Sequence, residues 1–547
     1  MKIRILAVVP CVLSFAACTA GPQATPVLHD GLGDSRRVVS TRSAEAQRYF
    51  DQGLVLCWAF NHDEAVRAFE EAARLDPGCA MAWWGVAFAL GPNINLPLTD
   101  ESVSLRAHRA AQMALTLSAT ATPVERALIE AMSLRYTDPV PADRSALDLA
   151  YAEAMREVRR AHPGDTEVGV LFADSLMLLS RRWRQWPVDG DRGPYTDEIV
   201  ATLQKVLAAD PEHPGVNHFY IHAVEASSRP DRALAAADRL TTSVPAAGHL
   251  VHMPSHIYIR LGKYKEAVET NRGAVTADDG FFSTAGSQGI YHYYRAHNAH
   301  FLVWAAMFLG AREEALSAAR AMAGKLPMDQ LDSLPRSIES YLFIPVHVMM
   351  RFGMWEEILA EPMPQERFPI ARALSHHARA VAYANTERLD RAMVEQEAFE
   401  QVSETIPPDE VVRGANVGVL IDIARYMMRG EVLFKQGKLA EAFAALRRAV
   451  EVEDTLPYSE PPGWMQPIRH ALGALLLEAG ELEEAEAVYR KDLEQHAENG
   501  WSLHGLAECL RRTGRTQEAE DVERRFQAAW AHADIQIDAS CFCRVSG

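Results

Sequence analysis

Apolar residues recur every three or four positions through most of the chain, in runs of about a dozen residues parted by short polar turns. In "NHDEAVRAFEEAARLDPG" (61–78) the apolar positions share one helical face, and the Pro that follows closes the helix. The same pattern follows a small turn residue in "LGKYKEAVETNRGAV" (261–275), "LGAREEALSAARAMA" (309–323), "QGKLAEAFAALRRAV" (436–450), "AGELEEAEAVYRKDL" (479–493) and "TGRTQEAEDVERRF" (513–526). Another apolar-periodic run precedes each turn, so the pattern predicts helix pairs repeated along the chain.

The turn residue sets a register. It falls at Ser228, Gly262, Gly310, Gly353, Glu387, Gly437, Gly480 and Gly514. Five residues later stand Ala233, Ala267, Ala315, Ile358, Ala392, Ala442, Ala485 and Ala519, and the seven alanines are small enough for paired helices to approach closely. Repeats of about 34 residues built from two helices, with a small residue at the turn and Ala five later, resemble the tetratricopeptide repeat family. The resemblance covers most of residues 45–530 and implies an all-α, superhelical solenoid of antiparallel helix pairs.

The other face of each first helix carries candidate chemistry. Ten residues before the turn stand His218, His252, His300, His377, His470 and His504, with Phe343 and Met427 in the two other repeats. Six before the turn stand His222, His256 and His347; thirteen before it stand His249 and His297. Eleven histidines thus fill 24 positions, where a composition of 20 in 547 residues would place about one. In tetratricopeptide-like superhelices this face lines the concave groove. The stretch "GHLVHMPSHIYIRLG" (248–262) is one repeat's share of it, and Pro254 predicts a helix start there, with His249 and His252 on a bent entry segment.

Nine of the 20 histidines fall in 213–300. His218, His222 and Glu225 follow at i, i+4 and i+7, and His297 and His300 at i and i+3, spacings at which helices chelate a cation. Together with His249, His252 and His256 these make a candidate site for a transition metal, either two ions or one ion with supporting residues. Imidazole ligation without thiolate suits copper, zinc or iron and disfavours calcium and magnesium. One version is a dinuclear copper-type oxidase centre with three imidazoles per ion. The alternative is a non-enzymatic scaffold whose groove histidines bind a protein or peptide partner.

Composition narrows these readings. The chain has 48% hydrophobic and 23% charged residues and a net charge of −18, without the basic footprint of a nucleic-acid binder. At the N-terminus Lys2 and Arg4 precede an apolar run, Ile5 to Ala17, and then Cys18, which resembles a bacterial lipoprotein signal. The expectation is an exported protein, an outer-membrane lipoprotein facing the periplasm, lipidated at Cys18 and touching the membrane through that anchor only. Apart from Cys11 in the apolar run and Cys18, five cysteines remain, with no CxxC; Cys541 and Cys543 are a candidate metal or thiol pair, and the register keeps Cys57 and Cys79 too far apart to bond.

The chain divides into a signal (1–17), a tether (18–40), an irregular helical array (41–210), a histidine-rich core (211–325) and a C-terminal array (326–547). Two loops stand out: Asn93 and Asn95 in "GPNIN" form a polar turn that could close one end of the groove, and Arg182, Trp183, Arg184 and Trp186 form a candidate lid or packed corner.

Overall fold

A computed structural model describes residues 26–97, 99–184, 186, 193–285, 291–326, 328, 336–407, 410–412 and 415–544. Signal, Cys18 and the side chains of Arg182, Trp183 and Arg184 lie outside the described residues. Helices dominate; among the described residues the only strands are the two-residue pair Val411–Val412 and Ala415–Asn416. The chain is the expected all-α solenoid of antiparallel helix pairs, from Ala44–Trp58 with His62–Leu75 to Gly500–Arg512 with Thr516–Ala529. No helix among the described residues is long and apolar enough to cross a membrane.

The turn explains the repetition. Seven of the eight residues that set the register are left-handed, with φ from 58° at Glu387 to 88° at Gly480. At each, the N–H of the next residue donates to the carbonyl five positions back, as Lys263 does to Tyr258 and Ala311 to Ala306. This closure satisfies carbonyls that the helix end would otherwise strand, and a left-handed residue makes it possible. Ser228 is the exception: it has no positive φ, and a short 3₁₀ turn, Pro230–Ala233, follows it. The first repeat has the same closure at Phe60, φ 55°, with Asn61 N–H donating to Leu56. A bulky left-handed residue is strained, and no composition rule flagged it. Ala65, Ala233, Ala267, Ala315, Ala392, Ala442 and Ala485 are all fully buried between paired helices.

The superhelix closes on itself. Tyr264 donates to the carbonyl of Ala497, Trp501 Nε1 to that of Met307, and Asp534 caps the N–H groups of Arg312 and Glu313. The segment between helices Leu439–Glu453 and Ile468–Ala479 runs into the concave face. Its Glu460 meets His256, its Trp464 packs on His347 and His377, and its Met465 meets His300. The histidine face expected to line a groove is therefore enclosed: His218, His252, His256 and His377 have no exposed surface. Cys541 and Cys543 are bonded to each other and buried, while Cys57 and Cys79 are free and buried, as the register requires.

Candidate metal centre

Three successive first helices bring six of the candidate histidines into one cluster. Helix Pro214–Val224 presents His218 and His222 one turn apart. The next first helix breaks at Pro254 into Gly248–His252 and Pro254–Arg260. Proline removes one ladder hydrogen bond, and the bend turns His249, His252 and His256 toward a common interior. The expected entry segment is itself a helical turn. Gly248 opens it against Asp278, whose carboxylate Tyr291 and Asn298 hold; a Cβ on Gly248 would stand 2.0 Å from Asp278 Oδ1. Helix Tyr291–Leu309 supplies His297.

Two sets of three histidines, His218, His222 and His249 in one and His252, His256 and His297 in the other, have candidate ligand atoms within 4.8 Å of one another, and a third group, His222, Glu225 and His256, bridges them at the same spacing. The sets adjoin: ring centroids are 5.5 Å apart for His222 and His256 and 5.6 Å for His249 and His252. Phe60 lies 4.6 Å from the His218 ring and Phe301 4.6 Å from the His252 ring, an apolar cover on each set.

The protons can be placed from the partners. His218 Nδ1 is 2.6 Å from the carbonyl oxygen of Trp58, which can only accept, so Nδ1 carries the proton and Nε2 a lone pair. His252 Nδ1 is 2.7 Å from Asn271 Oδ1, and the Asn271 amide is oriented by its own donation to Ala267. His252 Nε2 is therefore bare as well. His222 Nδ1 donates to Glu225 Oε1 at 3.0 Å, and His256 Nδ1 lies 2.5 Å from Glu225 Oε2 and also meets Glu460. Imidazoles anchored through Nδ1 on carbonyl and carboxylate oxygens, with Nε2 turned inward, have the tautomer and orientation of metal ligands.

The inward nitrogens sit at ligand spacing. His218 Nε2 and His249 Nε2 are 3.2 Å apart, and His252 Nε2 and His256 Nε2 are 2.8 Å apart. Two nitrogens bound to one ion at about 2.0–2.1 Å stand about 2.9 Å apart at a right angle and about 3.3 Å apart at the tetrahedral angle. A shared proton gives similar distances, and the charges say where it resides. Burial holds His218, His249 and His252 well below the ordinary imidazole range, so these are neutral. Burial also opposes the His256 cation, but Glu225 and Glu460 outweigh it and raise His256 to about 9. Burial, with the Glu225 charge adding, lifts Glu460 to about 7. His256 thus keeps its proton at neutral pH, held between the carboxylates of Glu225 and Glu460.

Glu225 and Glu460 hold the imidazoles from behind: the two oxygens of Glu225 each take one histidine, one from each set. Glu460 is the residue that sequence reasoning missed. It comes from a repeat pair far along the chain, and only the plugging of the concave face brings it in. Asn271, on the second helix of the repeat that carries His252, and the carbonyl of Trp58, at the end of helix Ala44–Trp58, were missed as well. His300 stands apart: its Nε2 faces Met465 Sδ at 3.1 Å and its ring lies 5.5 Å from Tyr341, so it joins neither set. His377 and His470 are committed internally, to the Ala424 carbonyl and to Asp492. The "GPNIN" turn does reach the cluster. Asn93 Oδ1 accepts from Asn95 and Leu96, and Asn95 donates to Tyr294, whose ring is 5.1 Å from His249. Trp186 donates to the carbonyl of Ala223, beside His222.

Comparison with known proteins bears on the repeats. Residues 423–455 match a family model described as "Tetratricopeptide repeat". A stretch of 169 residues is 32% identical to the cellulose synthase operon protein C of Xanthomonas axonopodis pv. citri (strain 306), spanning 30% of this chain and only 10% of that protein. Among solved structures, a human IFIT1 dimer with m7Gppp-AAAA has 12% identity and a TM-score of 0.31, covering 90% of this chain and 91% of the other. The Cut9–Hcn1 structure has 12% identity and a TM-score of 0.30, covering 89% and 74%. TM-scores this low fall short of a shared overall shape.

Proposed function

The chain belongs to the tetratricopeptide-repeat proteins, and we propose that it binds a pair of transition-metal ions inside its superhelix. One ion takes His218, His222 and His249; the other takes His252, His256 and His297. The observation that supports this is the placement of the Nδ1 protons. Carbonyl, amide and carboxylate oxygens take them at four histidines, leaving Nε2 atoms turned inward at the spacing of two ligands on one ion. Packing alone gains nothing from crowding six imidazoles into a buried interior, where a ring nitrogen such as His249 Nδ1, which has no hydrogen-bond partner among the described residues, is destabilising.

An all-nitrogen set of three per ion suits copper, zinc or iron, and a copper pair of this kind would supply oxidoreductase chemistry. The carboxylates of Glu225 and Glu460 serve the histidines from behind. The test is metal analysis of the full chain purified without chelator. Two equivalents of one transition metal support the proposal; metal-free protein with no uptake on titration defeats it.

Tetratricopeptide repeats generally mediate protein–protein association, and the scaffold reading rests on that family property. Because the histidine face is enclosed, a partner would use the outer surface and the histidines would serve packing. For location we propose export and lipidation at Cys18, supported by the basic, apolar and small-residue order of the first residues. Mass spectrometry of the mature N-terminus tests it: a diacylated Cys18 supports the anchor, and an unmodified Met1 defeats it.

A further inference from the structure

A cavity of about 260 Å³ runs inward between the N-terminal segment and helix Tyr264–Ala285. Asp30, Gly280 and Thr284 form its exposed rim, while Leu56, Asn61 and Tyr291 lie at its buried inner end. The inner end is one side-chain layer from the His218 set. Asn61 and Ala59 flank Phe60, whose ring is 5.0 Å from His249. Tyr291 stands 6.0 Å from Tyr294, whose ring also touches His249.

The lining specifies a ligand class. Leu32, Leu56, Phe281 and Tyr291 give apolar and flat walls. Asn61 is 3% exposed, and its Oδ1 has no hydrogen-bond partner among the described residues. A buried carbonyl without a donor is destabilising by about 1–3 kcal/mol, so it marks a place where a ligand donor fits. No lysine or arginine lines the cavity, and its one imidazole, His29, is balanced by Asp30 at the rim and by Glu64 at 3.9 Å, which disfavours an anion.

We propose that this cavity docks a small, uncharged ring bearing a hydrogen-bond donor, of the phenol or aromatic-amine class, with its donor on Asn61 Oδ1. The cavity as a binding site stands independently; its role as the antechamber of the metal centre rests on the metal reading. A site built to pair a hydroxyl rejects the analogue that lacks it, because the buried acceptor is then left unpaired.

The experiment titrates the metal-free full chain with phenol, benzene and benzoate, read by calorimetry and saturation-transfer NMR. Phenol binds, benzene binds at least tenfold more weakly, and benzoate does not bind. Asn61→Leu abolishes the preference for phenol over benzene. Because Asn61 is buried, a second variant is used: Gly280→Trp. Gly280 is exposed, and nothing lies within 4 Å of an added Cβ, so the indole covers the mouth without disturbing the fold and weakens phenol at least tenfold. Equal binding of phenol and benzene to the natural chain overturns the proposal, as does full phenol binding by Gly280→Trp. In copper-loaded protein, phenol shifts the metal absorption bands; binding without any shift overturns the antechamber role alone. A chain that binds phenol as described but takes up no metal overturns the metal reading and leaves the docking site standing.

Discussion

His218 and His249 face each other through Nε2 at 3.2 Å, and His218 uses its one N–H, at Nδ1, to donate to the Trp58 carbonyl. A single proton on His249 Nε2 therefore joins the pair, and a metal ion entering there has one proton to displace. The His252–His256 pair repeats the arrangement, with Asn271 in the place of Trp58.

This anchoring decides how the ligands should be removed. Both His218 and His252 are fully buried, so alanine would open a cavity as well as delete a ligand. Asparagine keeps a donor near the position of Nδ1 and lacks Nε2. His218→Asn should lower the bound metal from two equivalents to one, His252→Asn likewise, and the double variant should bind none. Far-ultraviolet circular dichroism should stay unchanged in all three. Two equivalents retained by the double variant would place the site elsewhere.

Glu225 touches no proposed ion but orients one histidine of each set. Glu225→Gln keeps an oxygen acceptor for one imidazole and gives the other an N–H it cannot use. Metal affinity should fall about 10–100-fold at both sites together, the range for residues that orient ligands. Competition with a chromophoric chelator measures it. Glu460→Gln should weaken the His252 set more than the other, since among the six histidines it is His256 that Glu460 meets.

Gly248 has no room for a methyl group. An added Cβ would stand 2.0 Å from Asp278 Oδ1, so Gly248→Ala must push the Gly248–His252 turn away from Asp278. Overpacking of this kind costs about 1–3 kcal/mol, and the displaced turn carries His249 and His252. A lowered melting temperature together with weakened metal uptake is the expected result. A fall in melting temperature with metal affinity intact would show that the turn relaxes without moving the ligands.

Glu431 gives a pH prediction away from the site. It is 2% exposed on helix Val417–Lys435, and burial raises its carboxyl to about 7. Between about pH 4.5 and 7 the folded chain holds a proton that the unfolded chain has lost. This contribution to stability is full below pH 4.5 and disappears as pH rises through 7, a loss of about 3 kcal/mol at about 1.4 kcal/mol per unit. Glu431→Gln should therefore raise the melting temperature at pH 8 and leave it nearly unchanged at pH 4.5. Thermal unfolding followed at the two pH values checks the sign.

Repeat, register and the clustered histidines were legible in the sequence because each rests on local spacing. A helix has a fixed period, a left-handed turn favours glycine, and an imidazole ten residues before that turn occupies the same face in every repeat. Pro254 announced its own break. The sequence thereby determined an all-α solenoid and six of the clustered histidines. Only the tertiary structure decided that the concave face is filled rather than open, that Glu460 arrives from a distant repeat, that His300 turns to Met465, and that the Nδ1 atoms of His218, His222, His252 and His256 face acceptor oxygens. Those facts depend on how successive pairs rotate until the superhelix meets itself. That rotation sums small packing angles over many helices, and no local pattern of apolar and polar residues records it.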